Sequence, residues 1–578
     1  MSPGAPSRER GLLALLALAG LVAATHAQLL GFEFVYDDRW TVVNNAYTAH
    51  PANLAGLADG SAFAEGVVDA ERPVALATVF LDRALFGLSP RGHHLQSLLW
   101  HLLATLLLGL LVLRAFGERP LAWLTAGFFA ILPAHAEAVA VVSYREDLIA
   151  AAFSFAALAA LQRRGSAWAA APLLFFGFLG KESAGGALLM WPLLVWMRGE
   201  PNRAPGERPA SLLCGLGLLA AGVGLALGLR MAWAGEIGWA PAASVRVPER
   251  GGLLASAAAA AQVALTQLAQ LFVPLGLGPE HPDPPPAWPG PLVALGAAGL
   301  FAALLAARRA GAERRAIGAA LLALAGLAPL LAPWRLPNLW ADRFLYLPSA
   351  GASLLLAHLV SRHGLASRGR QLATGALVAA LLLAHSVAEQ RYHDEQVLWS
   401  RAARIAPGSP RTWLGLGAVR LQRGDLQGAG EAAARGRLLS PESPGLLRLE
   451  AMIACHGLRR REAWALFEDA ERQAGRDAGQ AARPAWKQVQ RAACALELRE
   501  FDRAREHARR AQALDRFSAD AHALEGLALQ RLGDLRGAHA ALHRALATDP
   551  HRGDLRRWLS LLHEEAGGLL ADAPLEAP

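Results

Sequence analysis

The sequence FVYDDRW occupies residues 34–40 and follows closely on an apolar run from Gly11 to Leu30. An apolar run of about 20 residues is long enough to cross a bilayer as an α-helix. Two adjacent carboxylates directly outside such a span, Asp37 and Asp38, are costly to hold so close to lipid unless they are used. The stretch therefore predicts a functional polar loop at one face of a membrane.

Composition divides the 578-residue chain into two parts. It is 54% hydrophobic and 18% charged, with a mean hydropathy of +0.27, but the apolar runs are concentrated in the first two thirds. This contrast predicts a helical membrane domain over residues 1–390, a soluble domain over 391–566 and a disordered tail over 567–578. The net charge of +8 does not indicate nucleic-acid binding, because many arginines lie in short loops between apolar runs.

Eleven apolar runs are candidate membrane spans: 11–30, 93–113, 120–133, 148–162, 166–180, 184–197, 209–230, 289–307, 315–333, 343–361 and 371–388. Arginines lie in alternate loops between these runs, which predicts a cytoplasmic N-terminus and an extracytoplasmic C-terminal domain. This topology requires that residues 251–276 do not cross the membrane, and that they lie on its outer face or re-enter it from there. The first run is also consistent with a cleavable signal peptide, with Ala24-Thr25-His26-Ala27 as the cleavage site.

The C-terminal domain contains an internal repeat. Trp413, Gly417, Ala429 and Pro441 recur in kind as His522, Gly526, Ala538 and Pro550. These offsets are typical of the 34-residue tetratricopeptide unit, in which small residues let two antiparallel helices approach closely. We predict units that start at residues 410, 444, 485 and 519, with a half-unit near Trp399. Because such solenoids present a concave binding groove, we expect a protein or peptide partner there.

The three cysteines, Cys214, Cys455 and Cys494, lie far apart and lack metal-ligand spacing. The sequence therefore predicts neither a zinc site nor a disulfide framework. We assign no residue as a metal ligand, and leave open whether a divalent metal is required.

Further polar residues fall on the predicted outer face or in spans that open onto it. They are His94, His135, Glu137, Arg145, Lys181, Glu182, Asp342, Arg343 and Tyr346. Carboxylates, histidines and cations gathered at one membrane face would form a cavity with acid–base and anion-binding groups. Structural alternatives stay open: Lys181 and Arg343 as interfacial residues whose charged ends reach water, and Glu137, Arg145 and Asp147 as an ion pair between helices.

The order and spacing of several segments resemble the transmembrane-and-tetratricopeptide protein O-mannosyltransferases, and in particular bacterial relatives of that family. These segments are Phe34–Asp38, Arg72–Val74, Gly92–Leu95 with His101, Pro133–Val139, Arg145–Asp147, Lys181–Glu182, Phe272–Leu277 and Ala341–Ser349. The chain departs from the family pattern at Gln96, Ala134 and Asp342, where the family commonly has Asn, His and Glu.

The resemblance implies an all-α protein with a GT-C-like membrane domain and a tetratricopeptide α-solenoid. It also implies inverting transfer of a mannose-like sugar from a polyprenyl-phosphate donor to a hydroxyl of an extracytoplasmic protein. Asp37 or Asp38 would be the general base, Lys181 and Arg343 would stabilise the leaving lipid phosphate, and the other polar residues would bind substrate.

The expected location is the bacterial inner membrane, with extracytoplasmic repeats that hold the acceptor. Two other functions stay open on the sequence. One is sugar transfer to a lipid or surface glycan, and the other is a non-enzymatic membrane scaffold.

Overall fold

The computed structural model describes residues 8–198, 209–234, 252–281, 314–327, 340–364, 367–476 and 484–566. All regular elements in these ranges are helical and no strand occurs among them, which confirms the all-α prediction. The candidate span 289–307 and the predicted disordered tail lie outside the described residues.

The N-terminal domain contains thirteen labelled helices among the described residues, besides two short helices at Ala55–Asp59 and Ser61–Ala64. They are α1 (Arg8–His26), α2 (Pro73–Phe86), α3 (Pro90–Phe116), α4 (Arg119–Ile131), α5 (Ala136–Ala140), α6 (Arg145–Leu161), α7 (Ala170–Gly180), α8 (Ala187–Arg198), α9 (Leu212–Ala234), α10 (Gly252–Phe272), α11 (Arg314–Gly326), α12 (Ser349–Leu359) and α13 (Arg368–Glu389). Pro73, Pro90 and Pro120 stand in the first turns of their helices, where the missing N–H has no intrahelical partner to lose.

Four segments are long and apolar enough to cross a membrane: Gly11–Gly31, Pro90–Phe116, Leu212–Trp233 and Arg368–Tyr392. A fifth candidate is the pair Arg119–Ile131 and Pro133–Ala140, which is bent by 54°. Pro133 explains the bend, because proline cannot continue the hydrogen bonding of the preceding helix. These apolar helices indicate a membrane protein, whereas the count of eleven spans and the placement of residues 251–276 stay predictions.

Helix α1 is part of the folded domain. Leu18 and Val22 belong to the main apolar core, and His26 is fully buried, where it contacts His385 and Glu389 of α13. Cleavage near residue 26 would separate these contacts and uncover the core. The structure therefore favours a retained first span over a cleaved signal peptide.

The C-terminal domain is a stack of antiparallel helix pairs. Its helices are α14 (Glu395–Ile405), α15 (Pro410–Gln422), α16 (Leu426–Leu439), α17 (Pro444–His456), α18 (Arg460–Arg476), α19 (Pro484–Glu497), α20 (Phe501–Leu514), α21 (Ala519–Arg531), α22 (Leu535–Thr548) and α23 (Gly553–Ala566). The pairs begin at or next to the four predicted starts, and α14 is the predicted half-unit. Ala429, Ala492 and Ala538 are fully buried between helices, as the small-residue pattern predicts.

The two domains share one core. Trp399 of α14 and Trp413 of α15 belong to the same apolar cluster as the membrane helices. The chain also passes from α13 to α14 through only a short 3-10 turn, Gln390–Tyr392. The first repeat is therefore fixed against the membrane domain, close to the loop that carries Asp37 and Asp38.

The prediction of no disulfide is wrong. Cys455 of α17 and Cys494 of α19 form a disulfide with a Cα–Cα distance of 5.4 Å. Their separation of 39 residues is close to one repeat, so both lie near the ends of the first helices of successive units, which stack side by side. Cys214 is free and exposed.

Candidate active site

The acid pair lies in a tight turn that begins at Val35. Tyr36 adopts a left-handed backbone conformation with φ of 61°, which is uncommon for a bulky residue. Its ring stacks on Trp399 at 5.3 Å, and its hydroxyl donates hydrogen bonds to the Pro279 carbonyl at 3.2 Å and to Glu280 at 2.5 Å. These contacts hold the strained residue and fix the direction in which the next two carboxylates point.

Asp38 is fully buried, with 0% of its surface exposed. Its Oδ1 accepts from the Ser143 N–H at 2.7 Å and its Oδ2 from the Val35 N–H at 3.2 Å. Burial raises the pKa of Asp38 to about 7, although hydrogen bonds from Ser143 and Val35 act in the opposite direction. Both oxygens are thus occupied by backbone donors, so Asp38 joins the turn to the segment around Ser143.

Asp37 has different surroundings. It is only partly buried, and its Oδ2 accepts a hydrogen bond of 2.8 Å from the Tyr144 hydroxyl. Burial raises the pKa of Tyr144 well above its ordinary value, so this phenol stays a hydrogen-bond donor. Asp37 therefore presents a carboxylate that is oriented by one donor and still reaches the surface.

Arg343 and Glu137 form the second part of the site. The Arg343 guanidinium lies 2.6 Å from Glu137 Oε1, and its backbone N–H donates to Oε2 at 2.7 Å. The same guanidinium lies 4.0 Å from the centre of the Tyr144 ring, a cation–π contact. Arg343 is thereby placed next to the group that orients Asp37.

Lys181 forms the third part. Its ammonium group lies 2.7 Å from Glu146 and 2.5 Å from Asp147, and 5.8 Å from the centre of the Phe344 ring, the neighbour of Arg343. Three of the predicted segments therefore come together: the acid turn and the Arg343 corner meet through Tyr144, and the Lys181 segment approaches them through Phe344.

Glu182 belongs to the edge of this network. It lies 2.7 Å from Arg230 and 3.5 Å from Arg72, which also pairs with Glu146 at 2.6 Å. The side chain of Glu182 is 44% exposed, and the nearby charges of Arg72 and Arg230 hold its pKa at about 2. Glu182 is therefore a fixed anion that joins α9 to the loop before α2.

Arg145 has a structural position. It lies 2.7 Å from Asp82 and donates to Ser97 at 3.1 Å, to Thr78 at 3.0 Å and to the His93 carbonyl at 2.7 Å. All these partners belong to α2 and α3, so Arg145 ties the start of α6 to those helices. The ion pairs differ from the alternative raised by the sequence, because Glu137 pairs with Arg343, Arg145 with Asp82 and Asp147 with Lys181.

Three predicted substrate-binding residues lie inside the membrane domain. His94 is buried near Phe32, with 6.5 Å between ring centres. His135 shares a hydrogen bond of 2.7 Å with Ser349, and the Tyr346 hydroxyl shares one of 2.7 Å with His101. His135 and Tyr346 pack against each other at 4.6 Å. All three face other buried side chains, so their predicted contact with substrate has no geometric support.

Asp342 holds the segment before residue 282 in place. It accepts from the Gly278 N–H at 2.6 Å and lies 2.8 Å from His281 Nε2. Because Glu280 of the same segment receives the Tyr36 hydroxyl, Asp342 supports the acid turn from a distance and does not line it.

Sequence reasoning missed two residues at the site. Tyr144 connects Asp37 to Arg343. It lies between the predicted segments Pro133–Val139 and Arg145–Asp147, and no sequence pattern marks it as a site residue. Arg411 of α15 lies 4.9 Å from the Tyr36 ring and 3.2 Å from Glu280, with 41% of its side chain exposed. Nothing in the linear sequence indicates Arg411, because only the fold shows that the first repeat packs against the acid turn.

A cavity of about 460 Å³ lies between the loop that follows the acid turn and the repeats. Trp40, Asn44 and Asn45 line one wall, and Trp486 and Phe517 line the other. The Asn45 side chain is 6% exposed, and its Nδ2 has no hydrogen-bond partner in the described part of the chain. A buried amide donor without a partner is costly, so the cavity offers a place for an acceptor group from another molecule.

Curated relatives of the chain share its sequence over limited stretches, and no family model matches. Protein O-mannosyl-transferase TMTC1 of Homo sapiens is 34% identical over 157 residues, which are 25% of this chain and 18% of the relative. Protein O-mannosyl-transferase F38B6.6 of Caenorhabditis elegans is 30% identical over 165 residues, 27% and 24% of the two chains. These homologues are protein O-mannosyl-transferases. The alignments span about a fifth to a quarter of their length.

One solved structure, entitled "Crystal structure of APC/C hetero-tetramer Cut9-Hcn1", covers 88% of this chain and 82% of its own. Its sequence identity is 12% and its TM-score is 0.27. A TM-score this low carries no argument, so the description of the repeats depends on the helix pairs themselves.

Proposed function

We propose that the protein is an integral-membrane glycosyltransferase that moves a mannose-like sugar from a polyprenyl phosphate to a hydroxyl of an extracytoplasmic protein. The observation that carries the proposal is the turn at Asp37 and Asp38, which Tyr144 links to the cation Arg343 among the polar residues at the membrane helices. The names of the homologues support the same activity.

Asp37 is the general base in this proposal. It is the more accessible of the two acids, and the Tyr144 hydroxyl orients it. Its carboxylate takes the proton of the acceptor hydroxyl while the hydroxyl oxygen attacks C1 of the sugar. The bond between C1 and the phosphate oxygen breaks, its electron pair leaves with the polyprenyl phosphate, and the configuration at C1 inverts.

Asp38 is a positioning residue. Both of its oxygens accept backbone N–H groups, and none of its surface is exposed, so a substrate hydroxyl cannot reach it in this arrangement. Its role is to hold Val35 and Ser143 at the distances that set Asp37 against Tyr144. The choice between the two acids, which the sequence leaves open, is thus made on access.

The leaving phosphate needs positive charge. Lys181 is a weaker candidate than the sequence suggests, because Glu146 and Asp147 both lie against its ammonium group and compensate its charge. Arg343 has one carboxylate partner, and Arg411 adds a partly exposed guanidinium near Tyr36. We therefore assign phosphate stabilisation to Arg343 and Arg411, the second of which comes from the repeat domain.

The acceptor polypeptide occupies the cavity between the loop and the repeats. The Asn45 amide donates to a peptide carbonyl, and the aromatic walls formed by Trp40, Trp486 and Phe517 pack against acceptor side chains. The charged residues that line the cavity are Glu65, Asp515, Asp520, Asp549 and Arg552. Three of the four carboxylates are paired with arginines: Glu65 with Arg516, Asp520 with Arg552 and Asp549 with Arg83.

The acceptor side of the membrane is extracytoplasmic, and we place the protein in the bacterial inner membrane. The disulfide between Cys455 and Cys494 supports this side for the repeats, because disulfides persist in the periplasm and are rare in the cytosol. Protease added to intact spheroplasts tests it: the repeat domain should be digested from outside, as an immunoblot against a C-terminal tag can show. Digestion that requires a permeabilised membrane contradicts the orientation.

Reconstitution tests the activity. The purified full chain in liposomes, supplied with polyprenyl-phosphate mannose and a serine- and threonine-rich peptide, should yield mannosylated peptide by mass spectrometry. Asp37→Asn should abolish the product, and the matched variant Asp502→Asn, on the exposed surface of the repeats, should retain it. Equal transfer by the parent and Asp37→Asn contradicts the catalytic assignment. A mannosylated lipid in place of the peptide supports transfer to a glycolipid.

A further inference from the structure

A second polar cluster lies inside the membrane domain, and the proposed reaction does not use it. It consists of His26 at the end of α1 and of His385 and Glu389 one helical turn apart on α13. All three residues are fully buried, with 0% of their surface exposed. Histidine and glutamate are rarely placed inside a membrane domain without a partner or a function.

Three potential ligand atoms converge in this cluster. His26 Nδ1, His385 Nε2 and one Glu389 oxygen all lie within 4.8 Å of one another. His385 Nε2 lies 3.0 Å from Glu389 Oε1 and 3.3 Å from His26 Nδ1, and His26 Nδ1 contacts the same Oε1. A single ion could therefore touch all three atoms after small movements.

The other polar atoms of His385 and Glu389 are held by neighbours, whereas His26 Nε2 is buried without a hydrogen-bond partner in the described residues. His385 Nδ1 lies 3.1 Å from the Leu132 carbonyl, which can only accept, so Nδ1 carries a proton. In a neutral imidazole this leaves a lone pair on Nε2, which faces the carboxylate. Gln28 Nε2 donates to the second Glu389 oxygen, Oε2, at 2.7 Å.

This arrangement matches the outer shell of a metal site. Metal-bound histidines commonly donate their other N–H to a backbone carbonyl, and metal-bound carboxylates are themselves hydrogen-bonded. Without a cation, the Nε2 lone pair of neutral His385 and the Oε1 lone pairs face each other at 3.0 Å, which is repulsive. A cation between them removes that repulsion and satisfies both.

We propose that His26, His385 and Glu389 bind one Zn²⁺ ion. Two imidazoles and one carboxylate are a common zinc donor set, with ligand bonds of about 2.0–2.2 Å and a fourth position for another ligand. The separations of 3.0 and 3.3 Å are close to the spacing that tetrahedral ligands at this bond length require. The His26–Glu389 contact is shorter and opens when the ion enters.

The ion has a structural role. It joins the first candidate span, α1, to the last, α13, at the ends from which the chain enters the acid turn and the first repeat. Just beyond it, the Glu33 N–H donates to the His393 carbonyl at 3.0 Å. The site would thus fix the base of the loop that carries Asp37 and Asp38. This inference does not depend on the proposed glycosyltransferase activity.

The competing arrangement contains no metal. A protonated His385 and an ionised Glu389 would form a buried ion pair, with His26 as a neutral hydrogen-bond partner. The two arrangements differ in metal content, which is measured directly. Elemental analysis should therefore be made on the detergent-purified full chain, expressed with added Zn²⁺ and washed with a weak chelator.

About one zinc ion per chain is expected in the parent. His385→Ala and Glu389→Gln should each lower that content at least about tenfold, and Gln28→Ala should weaken zinc affinity by roughly 10–100-fold. The repeats hold other histidines, and His539 Nε2 and His543 Nε2 lie 3.1 Å apart. His543→Ala is the matched control and should leave the zinc content unchanged.

Two outcomes overturn the proposal. One is less than roughly a tenth of a zinc ion per parent chain, and the other is zinc that is lost in His543→Ala but kept in His385→Ala. If the variants fail to fold, Co²⁺ loading of the unmutated protein distinguishes the metal site from the metal-free arrangement. A strong visible absorption of tetrahedral Co²⁺ supports the buried site, and the weak spectrum of hexa-aquo Co²⁺ contradicts it.

Discussion

The membrane domain and the repeat domain both contain many arginine–carboxylate pairs, but their surroundings differ. Arg145 and Arg343 are buried next to Asp82 and Glu137. In the repeats, Arg510 and Glu506 pair across one helical turn with 57% of each side chain exposed. The same residue types therefore form a desolvated network in one region and a solvated surface in the other.

The difference shows in which region the loss of an ion pair should affect stability most. An exposed ion pair adds little to the folding stability, because water and salt screen the attraction between its charges. A buried pair carries a desolvation cost, and removal of one partner leaves an uncompensated charge in a medium of low polarity. We therefore expect variants of the membrane-domain network to have large effects, and those of equivalent residues in the repeats to have small ones.

The largest expected effect is on catalysis. Asp37→Asn removes the proposed base while it keeps the size and the contact with Tyr144, so the transfer rate should fall by about 10²–10⁴-fold. The rate of mannose transfer to peptide in proteoliposomes measures this. Asp502→Asn on α20 is the matched control, and a similar loss in both variants would mean that the effect is not specific to the turn.

The next effect is on stability. Glu137→Gln leaves the buried Arg343 without its anion and should destabilise the membrane domain by about 3–5 kcal/mol. A thermal unfolding series in detergent measures the loss. The double variant Glu137→Gln, Arg343→Met should lose less than the single one, because no charge is then left unpaired. A double variant that is less stable than Glu137→Gln contradicts this account.

The disulfide gives an intermediate effect. Cys455→Ser together with Cys494→Ser should lower the unfolding free energy of the repeats by about 2–4 kcal/mol, since the unfolded chain gains freedom. Cys214→Ser should change it little. Unfolding followed by the fluorescence of a repeat tryptophan, with and without reductant, makes the comparison, and the serine pair should be insensitive to reductant.

Burial of Asp38 predicts a pH dependence. Its pKa rises from the ordinary value of 3.8 to about 7 in the fold, so the folded protein keeps a proton that the unfolded chain has already released between these values. Stability should therefore fall as pH rises through this window, by up to about 1.4 kcal/mol per pH unit, and level off above pH 7. Asp38→Asn should remove this component, as thermal unfolding at pH 6 and pH 7 can show.

The smallest effect belongs to the exposed pair. Arg510→Ala removes the contact with Glu506 and should cost no more than about 0.5 kcal/mol. Thermal unfolding at low and high salt measures it. A loss as large as that of Glu137→Gln would remove the distinction between the two regions.

Local sequence signals predicted the helices and some of the residues that meet at the candidate site. The apolar runs predicted the membrane domain, and the recurrence of residues such as Gly417 and Gly526 predicted the helix pairs of the repeats. The pairing of charges was not predictable, since Glu137 and Arg343 are 206 residues apart and nothing in the sequence favours that pair over Glu137 and Arg145. The disulfide was missed for a related reason, because only the stacking of successive repeats brings Cys455 to Cys494.

The sequence by itself determined the helical class, the repeats and the identity of the two acids, because these depend on short-range periodicity and on residue type. Tertiary structure alone decided which acid is accessible, which carboxylates pair with each cation and that Arg411 of the repeats lies beside Tyr36. The physical reason is that burial and electrostatic partners come from segments far apart in the chain. His26, His385 and Glu389 illustrate it most clearly, since they meet only when the first and last candidate spans pack together.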